Sequence, residues 1–327
     1  SLAGTSATQG GVVFHGATSG TATLTVGGDN TNTAFGGIIA NATGSTLNLT
    51  KVGTGALTLG GANQYNGATT IEDGRLVILS VAGGSALGSS QSLVFGGTTT
   101  SGILQLGDGT GAVSKTFTGI SSQGSGTASQ IVSGNAGMAT LTFDLATTST
   151  FVGNIGGAGS NEANLNLVKN GAGDLVISGS GTSLFSGTTT VSAGKLFMDT
   201  VGAFSATTAG LTLADGTEFA LRGTTLNTVS SYGFSGTGNV ITIGSTTGAT
   251  LGFGLDGTGN SQLNLATGQT MDVNGTLTTA VYVNSAPVAG HKYVLINGTD
   301  ANSLSGNGGV FELNPVIFNG GSFTYAL

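Results

Sequence analysis

The chain has 327 residues, a formal net charge of −7 and only 7 basic and 14 acidic side chains, so 6% of it is charged against about 25% in an ordinary soluble domain. Few, scattered bases on a net negative chain argue against a groove for nucleic acid or anionic polysaccharide, and the absence of cysteine removes thiol chemistry and thiolate zinc sites. Glycine, at 62 residues, is about a fifth of the chain where about 7% is usual, yet Thr, Val and Ile recur throughout, which sets the chain apart from disordered segments.

Read from the N-terminus, the pattern is one of short strands. Gly, Ser, Thr and Asn are poor helix-interior residues, and no stretch repeats apolar residues at i, i+3, i+4, i+7. Alternation appears instead, after an N-terminal strand at Val12, Val13 and Phe14: at Thr23–Val26, Leu47–Leu49, Ala56–Leu59, Leu141–Leu145, Leu211–Leu213, Val240–Ile243 and Gln262–Leu265. Each places large apolar side chains on one face and Thr, Asn or Ser on the other. Between strands stand Asn66-Gly67, Asp73-Gly74, Asp108-Gly109, Asn170-Gly171, Asp215-Gly216, Asp256-Gly257, Asn274-Gly275 and Asn297-Gly298, dipeptides that supply the positive φ of tight turns. From Thr278 onward the glycines thin, both prolines appear (Pro287, Pro315), and longer apolar strands follow at Ala280–Val283, Lys292–Ile296, Val310–Leu313, Val316–Phe318 and Ser322–Leu327.

Two stretches, Asn48–Ser80 and Asn166–Met198, share the skeleton N-L-x-K-x-G-x-G-x-L-x-[LI], then [YF]-x-G-x-T-T-[IV]-x-x-G-[RK]-L. Lys51 maps to Lys169 and Leu57 to Leu175, 118 residues on; Tyr65 maps to Phe185 and Leu76 to Leu196, 120 residues on, so a loop has taken two extra residues. The repeat organises the chain as residues 1–20, an N-terminal strand and cap; 21–140 and 141–260, two solenoid units; and 261–327, a C-terminal cap and assembly segment. Leucines at 57, 76 and 93, and again at 175, 196 and 211, give spacings of 15 to 21 residues. Coils of that size, about 15 of them, suit a parallel β-helix, with tandem β-sandwiches as the alternative.

At Gly53–Asn63 (GTGALTLGGAN), Tyr65–Gly67, Thr69–Ile71 and Gly74–Leu76 the chain resembles the autotransporter-associated β-strand repeat, also called the passenger-associated transport repeat. The likeness is close in the first copy and looser in the second, where Ser180–Leu184 replaces the G-A-N-x-Y run. It implies a right-handed parallel β-helix in a secreted or surface-exposed bacterial protein. A complete autotransporter would add a C-terminal outer-membrane barrel of about 12 strands, for which the residues after Asn260 are too few. Barrel removal or a stand-alone secreted repeat protein would each account for that, and the start at Ser1 reads as a mature, processed end.

No pattern of catalytic side chains emerges. His15 and His291 lie far apart in sequence and read as turn or surface residues. Acids are dispersed; the adjacent pair Glu72-Asp73 falls where the second copy has Ser192-Ala193, and a pair could otherwise assemble only across coils, for example Asp108 with Asp215. Asp108, Asp215 and Asp256 read as turn formers rather than calcium ligands. The recurrent bases Lys51/Lys169 and Arg75/Lys195 are expected to cover apolar coil edges with their stems and keep their charge in water. Tyr65 and Phe185 are expected in the core or at a coil edge.

The expectation is thus an all-β, right-handed parallel β-helix (β-solenoid) with no catalytic residue, cofactor or metal and no transmembrane helix. Its role would be structural, as building block of an extracellular or cell-surface fibre, stalk or coat. The expected partners follow from that reading: further copies of itself joined head-to-tail through Val12, Val13, Phe14 and Phe323, Tyr325, Leu327. An adhesin passenger binding cell-surface glycan, and a polysaccharide-active enzyme, are the alternatives.

Overall fold

The computed structural model describes residues 2–4, 10–81, 84–88, 92–199, 208–223 and 230–286, and beyond these 288, 291, 293–298, 304–306, 310–313, 317–318 and 321–322. The period-2 segments fold as strands, and among the described residues there is no helix. Two compact units emerge, Ser1–Leu145 with Ser149–Asn166, and Ala146–Thr148 with Leu167–Leu327. Each is a parallel β-solenoid, and the two together hold about 10 turns.

In the first unit, Thr21–Val26, Thr46–Lys51, Thr69–Ile71, Ser92–Phe95 and Gly119–Ser122 stack into one parallel sheet. A second contains Thr33–Phe35, Ala56–Leu59, Gly74–Ile78, Gly102–Leu106, Ser129–Ser133 and Gly153–Ile155. In-register parallel pairing between successive turns rules out the tandem sandwiches, whose sheets are antiparallel. Leu47, Leu49, Leu57, Leu59, Ile71, Leu76, Leu93 and Leu104 all point inward and are buried. Phe95 stacks within the same column as Phe151, ring centroids 5.0 Å apart.

In the second unit, Leu165–Asn170, Thr188–Val191, Gly210–Leu213, Gly238–Ile243, Gln269–Val273 and Leu304–Gly306 make one sheet, and Leu175–Ile177, Lys195–Met198, Glu218–Leu221, Gly248–Asp256, Thr276–Val283 and Val310–Leu313 another. A third face carries Ser230–Tyr232, Gly259–Leu265 and Ile296–Gly298.

The turns are longer than the leucine spacing suggests. Ladder partners in the first unit lie 19 residues apart at Leu57↔Leu76 and 28 at Leu76↔Leu104; in the second they run from 21 at Leu175↔Leu196 to 34 at Thr276↔Val310. The expected 15 coils are therefore too many. Leu57 and Leu76 are true neighbours, but Leu93 belongs to the other sheet, where it pairs with Thr69, and Leu211 likewise pairs with Thr189. Each turn crosses more than one sheet, so leucines adjacent in sequence need not share a column.

Glycine serves stacking as well as turning. Gly74, Gly171, Gly216, Gly257 and Gly275 have the positive φ expected of their dipeptides, whereas Gly67 and Gly109 do not. At Gly67 a Cβ would lie 2.5 Å from the Leu47 carbonyl oxygen, so there the residue is needed because the previous turn passes against its Cα.

Candidate functional site

The shared repeat concentrates its chemistry at one corner. Leu47, Leu49 and Lys51 have the same parity on Thr46–Lys51, so the lysine points inward with the leucines; it is 0% exposed. Its ammonium donates to the carbonyls of Val52 (2.9 Å), Gly53 (2.7 Å) and, one turn on, Asp73 (3.2 Å). Lys169, also 0% exposed, repeats the arrangement with Asn170 (2.7 Å), Gly171 (2.9 Å) and Ala193 (3.1 Å). The expectation of a solvated charge on a coil edge is overturned: both ammonium groups sit in cages of corner carbonyls that bridge two turns. Lys115, in register with buried Leu141, does the same with Leu87 (3.2 Å) and Gly88 (2.9 Å). Burial pushes the pKa of Lys51 down, opposed by the nearby Asp73 carboxylate, and burial pushes Lys115 down as well.

Tyr65 and Phe185 are both fully buried, as core aromatics. The Tyr65 hydroxyl meets Thr69 Oγ1 at 2.8 Å, and burial pushes its pKa up. In the second copy Phe185 brings no hydroxyl, and the buried Oγ1 of Thr189, equivalent to Thr69, has no hydrogen-bond partner.

The second recurrent basic position, Arg75/Lys195, faces outward and is paired, with Arg75 half-buried and Lys195 exposed as expected. Arg75 reaches Gln105 Oε1 (2.6 Å) and Glu162 (3.0 Å), and Lys195 pairs with Glu218 (2.9 Å). Around Lys195 the cluster extends: Tyr282 donates to Glu218, and Arg222 makes a two-pronged pair with Asp199 (2.7 and 2.8 Å) while lying 3.8 Å over the Phe197 ring. Burial and the adjoining Glu218 push the Tyr282 phenol up. Outward Ala220 and Gly252 leave the room; a Cβ on Gly252 would stand 2.8 Å from the Tyr282 ring.

The aspartates of the turn dipeptides are spent on turns. Asp108 accepts from the amide (2.9 Å) and hydroxyl (2.5 Å) of Thr110. Asp215 accepts from the amides of Ser245, Thr246, Thr247 and Gly248, at 2.8–3.1 Å, and from the hydroxyls of Ser245 and Thr246, so one carboxylate clasps the whole corner of the next turn. Those hydrogen bonds hold its pKa well below the usual carboxylate range. Asp256 accepts from Ser285 at a hairpin turn, and Asp73 accepts from the Gly74 amide at 2.7 Å. His15 lies within the strand Val12–His15, and the exposed His291 packs its ring against Tyr293. The expected N-terminal strand is present: Val12–His15 pairs in parallel with Ile38–Asn41, with Val12 67% and Phe14 59% exposed and Val13 half-buried. Phe323, Tyr325 and Leu327 lie outside the described residues.

Parallel turns stapled by inward lysines define the protein as a β-solenoid. Residues 49–78 and 167–196 each match the passenger-associated-transport-repeat, found in autotransporter passenger domains, and each match contains the caged lysine, the core aromatic and the positive-φ glycine. Neither the curated proteins nor the solved structures gave a match.

Proposed function

We propose that this chain is a secreted or cell-surface structural protein without enzymatic activity, a building block of an extracellular fibre, stalk or coat that grows head-to-tail through its terminal strands. The observation that carries the reading is the open end of the first unit. Val12–His15, Thr21–Val26 and Thr33–Phe35 each stand last in their sheet; the Gly4 amide already donates to the Ala34 carbonyl (2.7 Å) on the outer edge of Thr33–Phe35, and among the described residues no strand pairs with the outer edges of Val12–His15 and Thr21–Val26. Such edges offer backbone donors and acceptors in the register that every internal turn already uses. The absence of enzymatic activity is supported by where the polar groups go: the caged lysines, Asp215 and Asp108 all serve the stack.

Negative-stain electron microscopy across a concentration series tests the assembly. Regular fibres or sheets are expected, and removing residues 322–327 should abolish them while leaving the β circular dichroism unchanged. Single particles at every concentration would overturn it. The second reading, a passenger that binds cell-surface glycan singly, is favoured by the repeat itself and becomes the one to assay in that case.

A further inference from the structure

We propose that the folded solenoid withholds its basic residues from Lys/Arg-specific proteases, so that it resists trypsin-class cleavage at positions its unfolded chain offers freely. A protease of this kind needs a basic side chain free to enter its specificity pocket and a local stretch of extended backbone free to lie in its cleft. Six of the seven basic residues are described; five fail both requirements, and Lys195, whose side chain is 48% exposed, fails the second through its backbone.

Five of the side chains are committed. Lys51 and Lys169 are fully buried in their carbonyl cages, Lys115 is held by Leu87 and Gly88, Arg75 by Gln105 and Glu162, and Arg222 by Asp199 beneath Tyr282 and above Phe197. The backbones are committed as well. Lys51 lies in a strand flanked by Thr21–Val26 and Thr69–Ile71, Arg75 in one flanked by Ala56–Leu59 and Gly102–Leu106, and Lys195 in one flanked by Leu175–Ile177 and Glu218–Leu221. Lys115 and Lys169 pair with Leu141 and Val191, and the Arg222 amide donates to the Met198 carbonyl at 2.9 Å. By contrast, the exposed turns among the described residues, where proteases usually enter, carry Gly, Ser, Thr, Asn and Asp but no base. The placement, independent of whether copies assemble, would let the protein persist where such proteases are present.

The test is a trypsin time course on the whole folded chain and on the same chain in urea, with fragments read by mass spectrometry. Cleavage after 51, 75, 115, 169, 195 and 222 is expected to be at least about a hundred-fold slower in the folded chain. Ala17→Arg puts a base in the exposed stretch 16–20, between the strands Val12–His15 and Thr21–Val26. The folded variant should be cut after position 17 and stay intact at the other six. Cutting of the folded parent at any of the six, as fast as after position 17 in the variant, would overturn the proposal. Resistance of Ala17→Arg at position 17 would overturn it too, because protection would then come from the stack whatever the placement of its bases.

Discussion

Replacing Lys51 by Met keeps most of the side-chain volume and removes only the ammonium, so it isolates the cage. Three carbonyls receive that ammonium at 2.7–3.2 Å. A hydrogen bond to a charged group contributes about 1.5–3 kcal/mol, roughly 5–9 kcal/mol for three. Dehydrating an ammonium costs several kcal/mol in return. The remainder, about 3 kcal/mol, is the expected loss of stability, and Lys169→Met should lose a similar amount because its cage has the same three-carbonyl design. Urea unfolding followed by circular dichroism reads the loss as a lower midpoint, and amide exchange around Val52, Gly53 and Asp73 should accelerate first. The pH profile supplies an independent sign. Burial lowers the folded pKa of Lys51, so between that value and the unfolded pKa near 10.5 the unfolded chain holds more protons. Its contribution to stability therefore rises with pH across that window, since a neutral amine still donates to carbonyls without the dehydration cost. That alkaline rise should be smaller in Lys51→Met, where half-buried Lys115 still contributes one of the same sign. A Met variant as stable as the parent at neutral pH would refute the reasoning, because it would mean that dehydration cancels the cage.

Three further outcomes follow from the same geometry. Phe185→Tyr should give the orphaned Thr189 hydroxyl the partner that Tyr65 gives Thr69, raising stability by about 0.5–1.5 kcal/mol in urea unfolding; a destabilised variant would show that the two copies do not share this pocket. Asp215→Ala should release the corner at 245–248, seen as faster amide exchange there. Because the folded pKa of Asp215 is depressed, the difference between variant and parent should stay constant above the ordinary carboxylate range and shrink only in strong acid, as pH falls toward the folded value. Gly61→Ala should unfold or distort its turn, since the added Cβ would lie 1.8 Å from the Gly37 carbonyl oxygen; a soluble variant with parental melting would count against the close approach.

Fold class was legible because alternation, turn dipeptides and a 118–120 residue repeat all point to stacked strands; the strand Val310–Leu313 falls where the pattern places it, and the expected Leu211–Leu213 lies within the strand Gly210–Leu213. Turn length was not legible, because inward leucines have the same parity on every sheet of a turn and nothing in their spacing says which sheet each joins. The caged lysines could have been found. In LNLTK and LNLVK the base occupies the inward parity of its leucines, and in KTF it shares that of Phe117, but a charged residue at a strand end is ordinarily assigned to water. The Asp215 clasp had no such signal, since its partners lie 30 to 33 residues on, across a loop of free length.

The ladder spacing carries a consequence for how such a chain comes to be folded. Among the described residues of each unit no parallel rung waits for a partner more than 34 residues away. Despite a fold dominated by parallel strands, which ordinarily form slowly because distant segments must find each other, the entropic cost of closure is met in small instalments. Once one turn has formed it is a complete template for the next. A chain delivered gradually, from either end, can therefore acquire its final structure in step with its arrival, without holding a large unpaired sheet open while the rest is awaited.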